Sequence, residues 1–275
     1  MTLSTIRNNP AKQKKVKTKK QKAIAATCAV AFWLLVWHVV SLCVGSELVL
    51  VSPVKVVQTL FTVIFDPDFL KTVWYSAARI LGGFFTALTL GTVLGWVASG
   101  FWVVETLLRP ITAVIKATPV ASFIILVLLW FSGKNLSVII SMLMVFPVIY
   151  MNVLEGIRSA DEKLLEMAQV FRLSVGKKLL YIYLPAVAPF FVSACSVSLG
   201  LCWKSGIAAE VIGTPDGSIG AVFYQAKIFL QTSELLAWTV VVVAVSVAFE
   251  KLFMFLLRLV LKKLKMEDVL NGKRA

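Results

Sequence analysis

The chain has 275 residues, 59% of them hydrophobic and only 15% charged, where soluble domains carry roughly 25% charged residues. That composition excludes bulk disorder, and it excludes an ordinary soluble domain, because so much apolar surface needs lipid to cover it. The net charge of +14 sits almost wholly in the tails: residues 1–22 hold eight Lys/Arg and no acid, and residues 251–275 hold seven against Glu267 and Asp268.

Basic tails can mark nucleic-acid binding. Here both abut long apolar runs, where Lys and Arg mark the cytoplasmic end of a membrane helix, and no nucleic-acid partner is expected. The first tail is suited to anionic lipid. Its apolar run, 23–44, exceeds the 7–15 residues of a secretory signal core, so an uncleaved first span is predicted. Cys28, Cys43, Cys195 and Cys202 lie in or beside apolar runs without C-x-x-C spacing. They read as small buried hydrophobes, with no disulfide framework or metal site. His38 is the only histidine, and neither a cofactor nor a catalytic centre is expected.

Six apolar spans are predicted, at about 23–44, 77–99, 117–131, 136–154, 186–203 and 236–257. The third is short against the roughly 20 residues that cross a bilayer. With the N-terminus inside and the spans alternating, inside segments hold 22 Lys/Arg and outside segments 5. That is a strong positive-inside bias, and the even span number returns both basic tails to one side. The fold class is therefore all-α, a polytopic membrane protein of about six transmembrane helices with cytoplasmic N- and C-termini, in the plasma membrane.

Between the first two spans, Ser52 and Pro53 form a helix start. Val56, Leu60 and Val63 follow at helical spacing, predicting a short interfacial helix that Asp66-Pro67-Asp68 ends. The second span carries Gly83, Ala87, Gly91, Gly95 and Ser99 four apart, a stripe that lets another helix backbone approach closely. The stripe leaves open whether the neighbour belongs to the same chain or to a second copy. Charged groups inside the spans look confined to Arg79, Glu250 and Lys251 near span ends, which weighs against a proton- or ion-coupled carrier. Trp203 fits an interfacial aromatic belt. Lys204 reads as a snorkelling lysine or a contact for an anion.

The most informative stretch is 155–185, long, amphipathic and mixed in charge. Ser159 with Glu162 has capping-box spacing. Leu164, Leu165, Ala168 and Phe171 recur on one face, predicting a short helix whose greasy side needs a partner. The run from Glu166 to Pro185 resembles the E-A-A-x3-G-x9-I-x-L-P motif of permease subunits of binding-protein-dependent ABC importers. Glu166, Ala168, Ile182, Leu184 and Pro185 match; Met167 replaces the first alanine, and Arg172 stands at the usual glycine. Thr118-Pro119, Leu128-Leu129-Trp130-Phe131, Ala208-Ala209-Glu210-Val211-Ile212-Gly213 and Leu235-Leu236-Ala237-Trp238 resemble the nitrate/sulfonate/taurine branch.

The resemblance implies a permease domain over 23–257 between cytoplasmic tails at 1–22 and 258–275, with the 155–185 loop docked on a separate ABC ATPase subunit. It further implies an extracytoplasmic substrate-binding protein, a second permease copy in a homodimer, and a small substrate, either a sulfonate-, taurine- or nitrate-like anion or a vitamin precursor. The loop residues it singles out are Glu166, Ala168, Phe171, Arg172, Leu173, Ser174, Gly176, Ile182, Leu184 and Pro185. Phe171 and Leu173 would be apolar anchors, Glu166 would brace the loop or pair with the partner, and Pro185 would open the fifth span. Two readings of Arg172 stay open: Gly176 supplies the turn in its place, or Arg172 makes a charged contact with the ATPase. The sequence contains no G-x-x-x-x-G-K-[ST] phosphate loop, consistent with a non-enzymatic subunit that receives work. An ATP-independent carrier or channel is the alternative. A membrane-embedded enzyme is a third class, for which Asp161, Glu162 and Glu166 are the only clustered groups, and they read as solvated helix positions.

Overall fold

The computed structural model describes residues 19–264, so most of the predicted tails at 1–22 and 258–275 lies outside them. The described residues form eleven α-helices and one π-helical turn. The chain divides between Lys55 and Val56. The first unit is dominated by α1 (Lys19–Val44), which Gly45 ends in the left-handed conformation, φ 63°. The Trp37 indole N–H donates to the Val51 carbonyl at 3.1 Å, and Lys55 pairs with Glu47 at 3.5 Å.

Helix α2 (Pro53–Ile64) begins as predicted, with the Lys55 N–H donating to the Ser52 hydroxyl at 3.4 Å. The second unit continues through α3 (Phe69–Gly100), α4 (Trp102–Ala117), α5 (Val120–Leu128), α6 (Gly133–Arg158), α7 (Glu162–Val170), α8 (Val175–Lys178), a π-turn (Leu179–Tyr183), α9 (Leu184–Gly213), α10 (Ile219–Ile228) and α11 (Thr232–Lys263). Five of the helical runs are long and apolar enough to cross a membrane, and α4 with α5 supplies a sixth pass only as a broken one, bent by 106°. The predicted third span at 117–131 is thus not one helix. Pro119 offers no N–H and drives Thr118 into extended backbone, φ −81° and ψ 133°, so the helix stops and restarts. The predicted fifth and sixth spans both extend beyond their forecast ends, α9 to Gly213 and α11 to Lys263.

Helix α6 is the centre of the second unit, packed along its length between α3 and α9. In lipid, apolar side chains gain nothing by leaving water, so helices associate through close van der Waals packing. The glycines of α3 permit that packing. A methyl group on Gly83 would strike the Val138 carbonyl of α6; on Gly91 it would lie 3.0 Å from Ile149, and on Gly95 2.9 Å from the Val153 side chain. Ala87 is fully buried on the same face. Ser99 is the exception, exposed, with its hydroxyl donating to the Trp96 carbonyl at 2.7 Å. By Ser99 the stripe has passed the contact. Gly206 of α9 closes the other side: a methyl there would sit 2.6 Å from Ile80 and 2.7 Å from the Ser141 hydroxyl.

Cys195 and Cys202 are buried in the cluster where α3, α6 and α9 meet, whereas Cys28 and Cys43 on α1 are exposed. Trp203 is also in that cluster, 1% exposed. It is therefore a core residue and not part of an aromatic belt, because it shares a helical face with buried Leu199 and Cys202.

The packing sets a clear test. Gly82→Ala adds a methyl group with nothing within 4 Å, whereas Gly83→Ala meets α6 backbone. Gly83→Ala is expected to lose about 1–3 kcal/mol, the usual cost of overpacking, and Gly82→Ala to gain up to about 1 kcal/mol from helix propensity. Thermal unfolding of the two variants in the same detergent compares them directly.

Candidate functional site

The 155–185 segment folds as α7, a tight turn, α8 and the π-turn, without a break into α9. Helix α6 runs on to Arg158, whose guanidinium forms an ion pair with Glu105 in the first turn of α4. That pair fixes the root of the segment. Beside it lies a cavity of about 400 Å³ lined by Arg109, Thr112, Tyr150 and Glu155.

The predicted Ser159/Glu162 capping box does not form. Ser159 ends α6, its hydroxyl donating to the Gly156 carbonyl at 2.8 Å. Asp161 caps α7 instead, its carboxylate accepting from the Lys163 N–H at 2.9 Å. An aspartate adjacent to the helix start reaches that N–H without a second residue's help, and its charge suits the positive end of the helix dipole.

Helix α7 ends in a Schellman turn. The Leu173 N–H donates to the Ala168 carbonyl at 2.9 Å and the Arg172 N–H to the Gln169 carbonyl at 3.0 Å. The residue between helix and turn must be left-handed, and Arg172 takes that conformation itself, φ 51°. Of the two readings of Arg172, the substitution of Gly176 for it in the turn is overturned: Gly176 sits inside α8 and has no positive φ. Its own Cβ position is open space.

Ala168 is fully buried and Ile182 nearly so. Ser174 stands at the start of α8 and Pro185 in the first turn of α9. Leu184 packs beside buried Ala188 and Leu261. Leu173 is half-buried, at the position where a Schellman turn places an apolar contact with its own helix. Among the described residues Glu166 is exposed and takes part in no ion pair. Phe171 is 72% exposed, with Val170 at 79% and Val175 at 83% around it, and Leu164 and Met167 close to half exposed. The apolar patch is thus wider than the predicted Phe171–Leu173 pair. Val170 and Val175 flank the turn; Val170 adjoins Phe171 in the sequence and Val175 lies four residues beyond it.

A second site was not foreseen. Glu210 belongs to the Ala208–Gly213 run that resembles the nitrate/sulfonate/taurine branch, and the longer α9 carries it into the helix, where it is 0% exposed. Its carboxylate accepts from the Ser76 hydroxyl of α3 at 2.7 Å and from the Gly220 N–H at 3.4 Å. The Ser76 oxygen in turn accepts from the Ile219 N–H at 2.9 Å. Glu210 adds a buried carboxylate near a span end, and the expectation that Glu250 and Lys251 lie near an end is corrected by the extension of α11 to Lys263, which leaves them well inside the helix.

Matched against known proteins, residues 87–266 fit the model of the binding-protein-dependent transport system inner membrane component. The chain belongs to this family. It is 29% identical over 216 residues to a protein named for aliphatic sulfonates transport, the permease protein SsuC of Bacillus subtilis (strain 168), covering 78% of each chain. It is 27% identical over 220 residues to the taurine transport system permease protein TauC of Escherichia coli (strain K12), covering 78% of this chain and 80% of the relative. The nitrate import permease protein NrtB of Synechocystis sp. is 25% identical over 214 residues, covering 74% of this chain and 76% of the relative. In fold, the chain is similar to the crystal structure of an amino acid ABC transporter with histidines, with a TM-score of 0.50 at 16% identity, over 70% of this chain and 96% of that one. The chain is thus a multi-pass inner-membrane permease subunit of an ABC importer.

Two substitutions test the turn geometry. Arg172→Gly is expected to stabilise the segment by about 1 kcal/mol by removing the cost of a side chain in left-handed backbone. Asp161→Ala should weaken α7 by about 1 kcal/mol, while Ser159→Ala should leave its stability nearly unchanged. Rates of limited proteolysis within 159–175 rank the three.

Proposed function

We propose that the chain docks the α7–α8 patch in a cleft of an ABC ATPase subunit, and that it does no covalent chemistry itself. The observation that carries this reading is the continuity of the segment with a span: from Val175 to Gly213 the chain is one helical run of 39 residues. An apolar cluster formed by Met167, Val170, Phe171 and Val175 is held at the root of that run without cover of its own. Burial of such a cluster by a partner is favourable by roughly 25 cal/mol per Å², and whatever moves the patch also pulls on a membrane helix.

ATP binding then closes the ATPase pair, the docked segment follows, and the spans exchange inward-open for outward-open arrangements. Each ligand works only through its different affinity for the two states. The solute is a small anion, in keeping with relatives named for sulfonates, taurine and nitrate, and an extracytoplasmic binding protein delivers it. Two copies of the chain enclose the pathway, and lipid covers the faces left apolar, among them much of α11.

Co-expression with the ATPase subunit and pull-down in nanodiscs tests the docking. Phe171→Asp places a charge in the patch and is expected to reduce recovered ATPase more than tenfold, a loss above about 1.4 kcal/mol. Glu166→Ala should retain the complex if Glu166 serves only as a solvated position. Full recovery with Phe171→Asp would move the docking site elsewhere. ATP-independent uptake by the permease alone would favour the carrier reading.

A further inference from the structure

The outer hairpin formed by α9 and α10 is tied together more tightly than a connection between helices requires. Only Thr214–Ser218 separates the two helices. Thr214 is β-branched and precedes a proline, yet it takes the left-handed conformation, φ 40°, with its N–H donating to the Glu210 carbonyl at 2.7 Å. Such a residue is a genuine outlier and persists only where its surroundings impose it. Here the surroundings are a lock. Gly220 lies so close to the Glu210 backbone that any side chain there would overlap it. The Glu210 carboxylate reaches across to the first turn of α10, and the Ser76 hydroxyl joins the same oxygen to α3 and to the Ile219 N–H. One buried carboxylate thus holds three helices.

The position of this lock along α9 matters as much as its chemistry. It lies at the far end of the run that starts at Val175, about 50 Å away at 1.5 Å per residue. Pro185 and Pro189 soften only the root, and no proline interrupts the helix between Pro189 and Gly213. Beyond Pro189 a displacement arrives at Glu210 along a helix that no further proline interrupts. Without the carboxylate, the Gly220 N–H and the Ser76 hydroxyl would lose their acceptor, and α10 would be joined to α9 by a short strained loop and apposed backbone, with no polar tie between them.

We infer that Glu210 is a positioning residue for transport, the joint through which movement of α9 is passed to α10 and to α3. This rests on the proposed docking of the α7–α8 patch on an ATPase. The closing experiment separates the two. Hydrogen–deuterium exchange is measured on the complete complex in nanodiscs, with and without ATP and vanadate. In wild type, nucleotide trapping is expected to change exchange in 155–185 and in 214–231, the latter by about tenfold, within the range of ordinary coupling between sites. Glu210→Ala should keep the response in 155–185 and lose it in 214–231. Glu210→Gln retains an acceptor oxygen of the same shape and should keep both. If Glu210→Ala does not assemble, Ser76→Ala removes the carboxylate's link to α3 together with the acceptor of the Ile219 N–H, leaves Glu210 itself in place, and should weaken the response in 214–231. A nucleotide response in 214–231 that survives in Glu210→Ala, or in Ser76→Ala where that variant stands in, even on a faster baseline, would show a brace for the fold only and overturn the inference. No response in 155–185 of wild type would instead overturn the docking on which it rests.

Discussion

Everything in the second unit depends on how closely α3 and α9 can approach α6. Apolar side chains facing lipid or facing another helix are in much the same medium, so the usual drive of apolar burial is missing. Dispersion then has to hold the helices, and it falls away within an ångström of extra separation. Gly83, Gly91 and Gly95 on one side and Gly206 on the other remove the atoms that would impose that separation. Ile80, Phe84, Ile149 and Leu199 then fill the space between.

A core of this kind suits a protein that must switch. Closely packed helices have few intermediate arrangements and tend to move as bodies. Polar contacts between helices are few: Arg158 with Glu105 near one end, Glu210 with Ser76 near the other, and Ser141 with the Cys202 carbonyl and Ser196 with Glu250 between them. Each joins elements that the apolar packing alone would leave free to slide.

The spans could be read from the sequence because hydrophobicity accumulates over twenty residues and tolerates local exceptions. The motif between Glu166 and Pro185 could be read because its residues lie within one short stretch. What escaped was set by distance along the chain or by backbone angle. Ser76 and Glu210 are 134 positions apart, and no local pattern connects them. Trp203 looked interfacial because its neighbour is Lys204, yet a helix turns adjacent residues by about 100°, which sends one into the core and the other outward. Arg172 stands out in the sequence as an anomaly, but only the φ angle shows that arginine accepts the left-handed conformation a glycine favours. The break at Thr118-Pro119 was visible as a dipeptide, while its 106° bend was not, because proline forbids a continuation without choosing a direction.

The π-turn at Leu179–Tyr183 adds one residue to a helix that is otherwise continuous. Its origin lies in Pro185, which has no N–H for the carbonyl four residues back, so the ladder widens before it resumes. One extra residue rotates everything beyond it by about 100° around the axis. The same helix therefore shows its apolar side in one direction near Val175 and in another where it meets α6. A straight α-helix of this length would have to present both on a single stripe, so that a partner seated on the root would crowd the bundle above it. In the proposed docking the inserted residue works like a quarter-turn in a drive shaft: it lets the push be received from the side and delivered inward.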